Sequence, residues 1–337
     1  MVTRIHPWPA RLSYRQRWAV TERVARRHRK KLLSFPNVVA VGVGLEWSGK
    51  RGKRGRGRAN AVRIGTLDGY REYVPCVHVV VKKKWTTQLT RKGILPDTIS
   101  TRAKVGRSTI RVAVPVDVVE QRPSKLHSWE CDVSQGAATL IGSGSCFVRL
   151  QGDRKQYLLG CHHVLALTDI QPPPIDFGSV SVAWESTALG SLALLPRNVN
   201  DVDAALANSD GRPQAQFSAD GGTIVIRGAL QPNEPPPPQY FILTRHGVRR
   251  AELQAIVAHT ENYYGNNTPL TFESVLHSLV EQGESQLQPA DSGAPLVAPD
   301  GRLIGIHYAG DVPSGPDSYA LRADIVLGAF VRTVSVW

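Results

Sequence analysis

The chain has 337 residues, enough for one large β domain and a smaller companion, each with a core of its own. Hydrophobic residues make up 42% and charged residues 20%, the balance of a globular protein and not of a disordered or fibrous one. Lysine and arginine number 41 against 28 acids, a formal charge of +13 concentrated before residue 130, which favours anionic partners and says nothing about fold.

No apolar run reaches the roughly 18 residues of a membrane span, and the N-terminus opens into Arg-rich sequence without an apolar signal core. The expectation is a cytoplasmic location and no membrane partner. Four cysteines, Cys76, Cys131, Cys146 and Cys161, are too scattered for a disulfide framework and lack zinc-ligand spacing. Free buried thiols, no structural metal and no cofactor are expected.

In chain order, residues 14 to 33 contain neither proline nor glycine and read as a strongly basic helix, with Trp18, Val20, Val24 and Leu32 as its apolar positions. Val38-Val39-Ala40-Val41-Gly42-Val43-Gly44-Leu45 is a β-branched strand, and Arg71 to Lys84 a second one. Between them lies a low-complexity tip, Gly49 to Arg58, alternating glycine with lysine and arginine. It reads as a solvated tip or as a non-specific contact for nucleic acid or an acidic partner. Ile94-Leu95-Pro96 and Ile110 to Val119 complete a small α+β unit.

From Ala137 the texture changes to short strands and turns, the pattern of a β-barrel or sandwich. The expected domains are 1–122, a basic α+β accessory domain; 123–136, a linker; and 137–337, a β domain. Thr139 to Val148 leads through a short turn to Gln156-Tyr157-Leu158-Leu159-Gly160-Cys161-His162-His163-Val164-Leu165, an apolar strand ending on two histidines. Asp203, with Asp201 nearby, stands before the small apolar run Ala204-Ala205-Leu206-Ala207. The prolines at 235–238 read as a stiff surface connection, and Tyr240 to Thr244 with Ala251 to Val257 as a hairpin. Residues 320–331 read as a closing helix or strand.

Asp291-Ser292-Gly293-Ala294-Pro295-Leu296-Val297 sets a serine between an acid and a flexible residue before an apolar strand. Asp300-Gly301 turns that strand into Leu303-Ile304-Gly305-Ile306-His307-Tyr308-Ala309-Gly310. A serine hydroxyl becomes a nucleophile only with a base to take its proton and N–H donors for the oxyanion.

Asp291 to Pro295 resembles the nucleophile loop of the chymotrypsin/trypsin-like serine protease family, and Gly305 to Gly310 resembles the strand that lines its primary specificity pocket. The strand ending in His-Val and the Asp before an apolar run are similar to the family's base and acid, in the order His, Asp, Ser that its fold requires. Residues 38–119 resemble the N-terminal domain that precedes such domains in a group of bacterial proteins. The resemblance implies a mainly β fold, a double antiparallel β-barrel preceded by a small α+β domain, and a bacterial serine endopeptidase acting on a protein or peptide.

It also implies His163 as base, with His162 the choice if the register slips by one; Asp203 as orienting acid; Ser292 as nucleophile; and the amides of Ala290 and Ser292 as oxyanion hole. Ala290 departs from the glycine usual there, which puts the resting oxyanion hole in doubt and leaves room for an activating partner. Gln286 stands where a Lys/Arg-specific pocket would carry an acid. His307 is similar to the histidine that recognises Glu or Gln in some relatives; the alternative is a satisfied structural histidine. A second reading is an inactive protease-fold module that binds nucleic acid or an acidic partner through its basic domain.

Overall fold

The computed structural model describes residues 12–47, 62–66, 69–82, 95–105, 107–120, 124–126, 132–135, 138–140, 142–165, 181–184, 187–197, 201–209, 216–219, 222–244, 247–262, 269–281, 287–288, 291–311 and 316–336. Contacts divide the chain into two units, Met1–Arg122 with Leu253–Ala258, and Pro123–Glu252 with His259–Trp337.

The first unit contains α1 (Tyr14–Leu33), β1 (Val38–Trp47), β2 (Val62–Thr66), β3 (Gly69–Val81), β4 (Thr98–Val105) and β5 (Ser108–Glu120). A capping box starts α1: Ser13 Oγ accepts the Gln16 amide and the Gln16 side chain accepts the Ser13 amide, so two otherwise orphaned donors are satisfied. Trp18, Val20, Val24 and Leu32 are buried, as the apolar spacing requires. β1 pairs antiparallel with β3, β3 pairs parallel with β5, and β5 pairs antiparallel with β4. The Gly-Lys-Arg tip at 49–58 lies outside the described residues.

The second unit begins with β6 (Ser124–Leu126), β7 (Asp132–Gln135), β8 (Ala138–Leu140), β9 (Gly144–Leu150), β10 (Gln156–Gly160) and the single turn α2 (His162–Leu165). β11 (Ser181–Trp184), β12 (Thr187–Leu194), β13 (Ala205–Ser209), β14 (Gln216–Ala219), β15 (Gly222–Val225), β16 (Gln239–Thr244), β17 (Gly247–Asn262) and β18 (Pro269–Val280) follow. The chain closes with β19 (Pro295–Val297), β20 (Leu303–Asp311), β21 (Asp317–Arg322), α3 (Ala323–Gly328) and β22 (Val334–Val336).

Strands β16, β19, β20, β21, β18 and β17 follow one another around an antiparallel ring that the β16–β17 pairing closes. Closure leaves no unpaired edge and points one face of every strand into a core that includes Tyr240, Ile242, Phe272, Leu276 and Ile306. A second antiparallel sheet runs β22-β9-β10-β13-β12-β11-β7-β8. The fold agrees with the expected class: mainly β, with a closed six-strand antiparallel barrel, a second antiparallel sheet, and a small α+β unit.

Three details differ from the sequence reading. Part of the segment read as a linker forms β6, paired with β20, and β7, paired with β8 and β11. Pro236 and Pro238 are buried, where a surface connection was expected; proline has no N–H to satisfy, so burying it ahead of β16 strands no donor. The region 320–331 holds both a strand end and a helix, β21 running directly into α3. Among the described residues no helix is long and apolar enough to cross a membrane.

Candidate active site

Strand register and the turn after β10 together explain how His163 and Asp203 meet. β10 and β13 are antiparallel with Gly160 opposite Ala205, so the segment just past β10 lies beside the segment just before β13, and the α2 turn carries His163, three residues past Gly160, onto Asp203, two before Ala205. Beyond Gly160 the chain turns at once into α2, with the Leu165 amide donating to the Cys161 carbonyl at 2.9 Å. Val164 and Leu165 are buried and anchor that turn.

One Asp203 oxygen accepts the His163 backbone amide at 2.9 Å, and the other is hydrogen-bonded to His163 Nδ1. Binding ring and amide of one residue together fixes the imidazole plane. Both side chains are buried. Burial alone would raise the Asp203 carboxyl, but the neighbouring His163, by its charge and by its ring and amide hydrogen bonds, overrides this and holds it at about 2. His162 is also buried, its Nδ1 meets no hydrogen-bond partner among the described residues, and burial lowers its pKa. The contact to Asp203 belongs to His163. Asp201 is exposed.

The serine sits on a turn that only glycine permits. Gly293 has φ +98°, and a Cβ there would lie 1.6 Å from the Ser143 carbonyl oxygen. The turn is tied on both sides: the Ser143 amide donates to the Ser292 carbonyl at 2.8 Å, and the Gly293 amide to the His307 carbonyl at 2.8 Å. The Asp291 carboxylate accepts the Gln288 amide at 2.8 Å, which stiffens the approach. Ser292 is buried, and its hydroxyl donates to the Tyr308 carbonyl at 3.0 Å.

The two halves converge on one backbone oxygen. The Cys161 thiol donates to the His307 carbonyl at 3.3 Å, the same oxygen that receives the Gly293 amide. Cys161 Sγ, a His163 ring nitrogen and an Asp203 oxygen all lie within 4.8 Å of one another. This puts the residue two before the base and the residue one after the serine on a common anchor. Burial, with Asp203 next, drives the Cys161 thiol well above its ordinary pKa, so it is held as an inert S–H donor.

His307 is fully buried on β20, and its Nδ1 lies 2.9 Å from Ser318 Oγ on β21. Ala290 and Gln286 lie outside the described residues. Sequence reading gave no role to Cys161, Ser143, Ser318 or Tyr308. Cys161 and Tyr308 lay within the stretches it singled out; Ser318 carries no local signal. Three donors, Cys161, His163 and Asp203, are close enough to hold a cation, as are Cys76, His78 and Asp117 in the first unit.

No protein-family profile matches this chain, and no curated protein matches its sequence. Solved structures do. Thermobifida fusca Protease A is 15% identical over 63% of this chain and 98% of its own, with a TM-score of 0.42. A Nocardiopsis protease is 14% identical over 62% and 98%, with a TM-score of 0.42. A glutamic acid specific serine protease that uses a histidine triad in substrate binding is 16% identical over 61% and 97%, with a TM-score of 0.43. These three structural neighbours are trypsin-like serine proteases.

Proposed function

We propose that the chain is a serine endopeptidase in which Ser292 is nucleophile, His163 base and Asp203 the residue that orients it. The observation that carries this reading is the two-point grip of Asp203 on the ring and amide of His163, beside a glycine-dependent turn that carries Ser292. With Nδ1–H held by Asp203, Nε2 is the basic nitrogen. It takes the Ser292 proton as Oγ attacks a peptide carbonyl, then returns that proton to the departing amine as the C–N bond breaks. Water, activated by the same nitrogen, hydrolyses the acyl-enzyme. The amides of Ala290 and Ser292 serve as oxyanion donors, each worth about 2.7–4 kcal/mol of transition-state stabilisation.

His307 gives this site a preference for Glu or Gln at the cleaved position. His307 Nδ1 lies 2.9 Å from Ser318 Oγ; with that hydroxyl as donor the ring proton sits on Nε2, and an imidazole N–H can donate to a carboxylate or amide oxygen.

A fluorophosphonate probe tests the reading. Wild type and His162→Ala label; Ser292→Ala and His163→Ala do not. Labelling of Ser292→Ala at the wild-type level, or none of wild type under any condition, removes the hydrolase.

One observation favours a second reading. The Ser292 hydroxyl donates to the Tyr308 carbonyl, which suits a protease fold kept for binding, with the basic first unit holding nucleic acid or an acidic protein.

A further inference from the structure

We infer that Cys76, His78 and Asp117 form a metal site in the first unit, selective for zinc or a similar borderline-soft divalent ion and separate from the proposed catalytic residues. Cys76 and His78 are two apart on β3, so they share one face of the sheet. Asp117 on β5 is the parallel-register partner of His78 and joins them on that face. One ligand atom from each of the three lies within 4.8 Å of the other two.

The separations are near those of co-ligands of one ion. With bonds of about 2.0–2.2 Å, the nitrogen and oxygen donors of a tetrahedral zinc stand roughly 3.3–3.5 Å apart. His78 Nδ1 and Asp117 Oδ2 are 3.8 Å apart, beyond hydrogen-bond length and a few tenths of an ångström wider than that span, a gap that a side-chain rotation on binding closes. Thiolate, imidazole and carboxylate in one set is a zinc-type combination, with the fourth position left for water.

The opposing strand is shaped to match. Gly42 and Gly44 on β1 stand across from His78 and Cys76 in register, so the Val-Gly-Val-Gly run presents no side chains to this pair. A Cβ on Gly44 would come within 2.8 Å of His78 Nδ1 and 2.6 Å of the Gln254 carbonyl oxygen. Bare backbone there leaves space for the imidazole. Cys76 and His78 are buried, while the Asp117 side chain is 24% exposed, which gives an ion a route in from solvent.

The full-length chain, purified without chelator, is assayed for metal by elemental analysis, then stripped and titrated with Co2+. About one equivalent of zinc and a thiolate-to-cobalt charge-transfer band are expected. Cys76→Ser abolishes the band; Asp117→Asn, at a partly exposed position, weakens Co2+ binding at least about tenfold. His163→Ala leaves both readings unchanged. Three outcomes overturn the proposal: no saturable binding by the intact chain, a band that persists in Cys76→Ser while its circular dichroism stays native, or a band lost in His163→Ala, which would put the ion at the Cys161 cluster. Should Cys76→Ser not fold, unchanged affinity in Asp117→Asn overturns it alone.

Discussion

At the scale of single residues, Asp203 decides most. Its carboxyl stays ionised in a buried place because His163 offers it ring and amide together, and this makes folding depend on pH. A carboxyl depressed to about 2 in the fold binds its proton less readily than it does in the unfolded chain. Its contribution to stability is therefore complete above about pH 4 and is lost as pH falls through the folded value. Urea midpoints measured from neutral pH down to about pH 2 should fall more steeply for wild type than for Asp203→Asn in the acid range; parallel curves would show that the carboxylate is not specially held. The same variant leaves His163 without its Nδ1 acceptor, so activity should drop by about 10^4 even where stability is little changed.

At the scale of elements, the β19–β20 hairpin and the turn before it form one unit. Gly301 has φ +88° at the hairpin tip, and Arg302 bonds Asp300 beside it and both Glu234 oxygens, the latter at 2.9 Å. The serine turn is more demanding, since Gly293 combines φ +98° with the close approach of Ser143. Gly293→Ala should destabilise the second unit by about 3 kcal/mol or more, read as a lowered urea midpoint, because any Cβ forces the Ser143 carbonyl away. A midpoint within experimental error of wild type would mean that the turn tolerates a different path. Two residues of this region, Asp291 and Gly293, were legible in sequence as a tight turn. The length of β17 was not: the expected strand ended at Val257, yet β17 runs to Asn262, with polar Thr260 and Glu261 in the strand. β18 was missed altogether, because Glu273, Ser274 and His277 interrupt its apolar alternation and only pairing with β21 supplies the reason for a strand.

At the scale of the whole molecule, the charge of +13 and the basic helix α1 make the chain responsive to salt. α1 carries Arg23, Arg26, Arg27, Lys30 and Lys31 exposed. If binding to nucleic acid is the role of this surface, log Kobs for a DNA or RNA duplex should fall linearly with log salt, at a slope near −0.9 per phosphate neutralised on DNA. Affinity that holds steady from low to moderate salt would reject phosphate recognition.

Sequence by itself determined what depends on neighbours along the chain. The proline-free span of α1, the β-branched runs of β1 and β3, and the Asp-Ser-Gly turn before an apolar strand all follow from local backbone preference and periodicity. It even ordered His163, Asp203 and Ser292, separated by 40 and 89 residues, but left His162 and Asp201 as rivals. Only the tertiary structure brings Asp203 onto the His163 ring: Gly160 and Ala205 pair at the strand ends, and the α2 turn beyond them carries His163, three residues past Gly160, to the carboxylate. The meeting of Cys76 and His78 with Asp117 is likewise a product of parallel pairing between β3 and β5. Register is fixed by hydrogen bonds and burial across strands that lie far apart in sequence, and no local pattern encodes it.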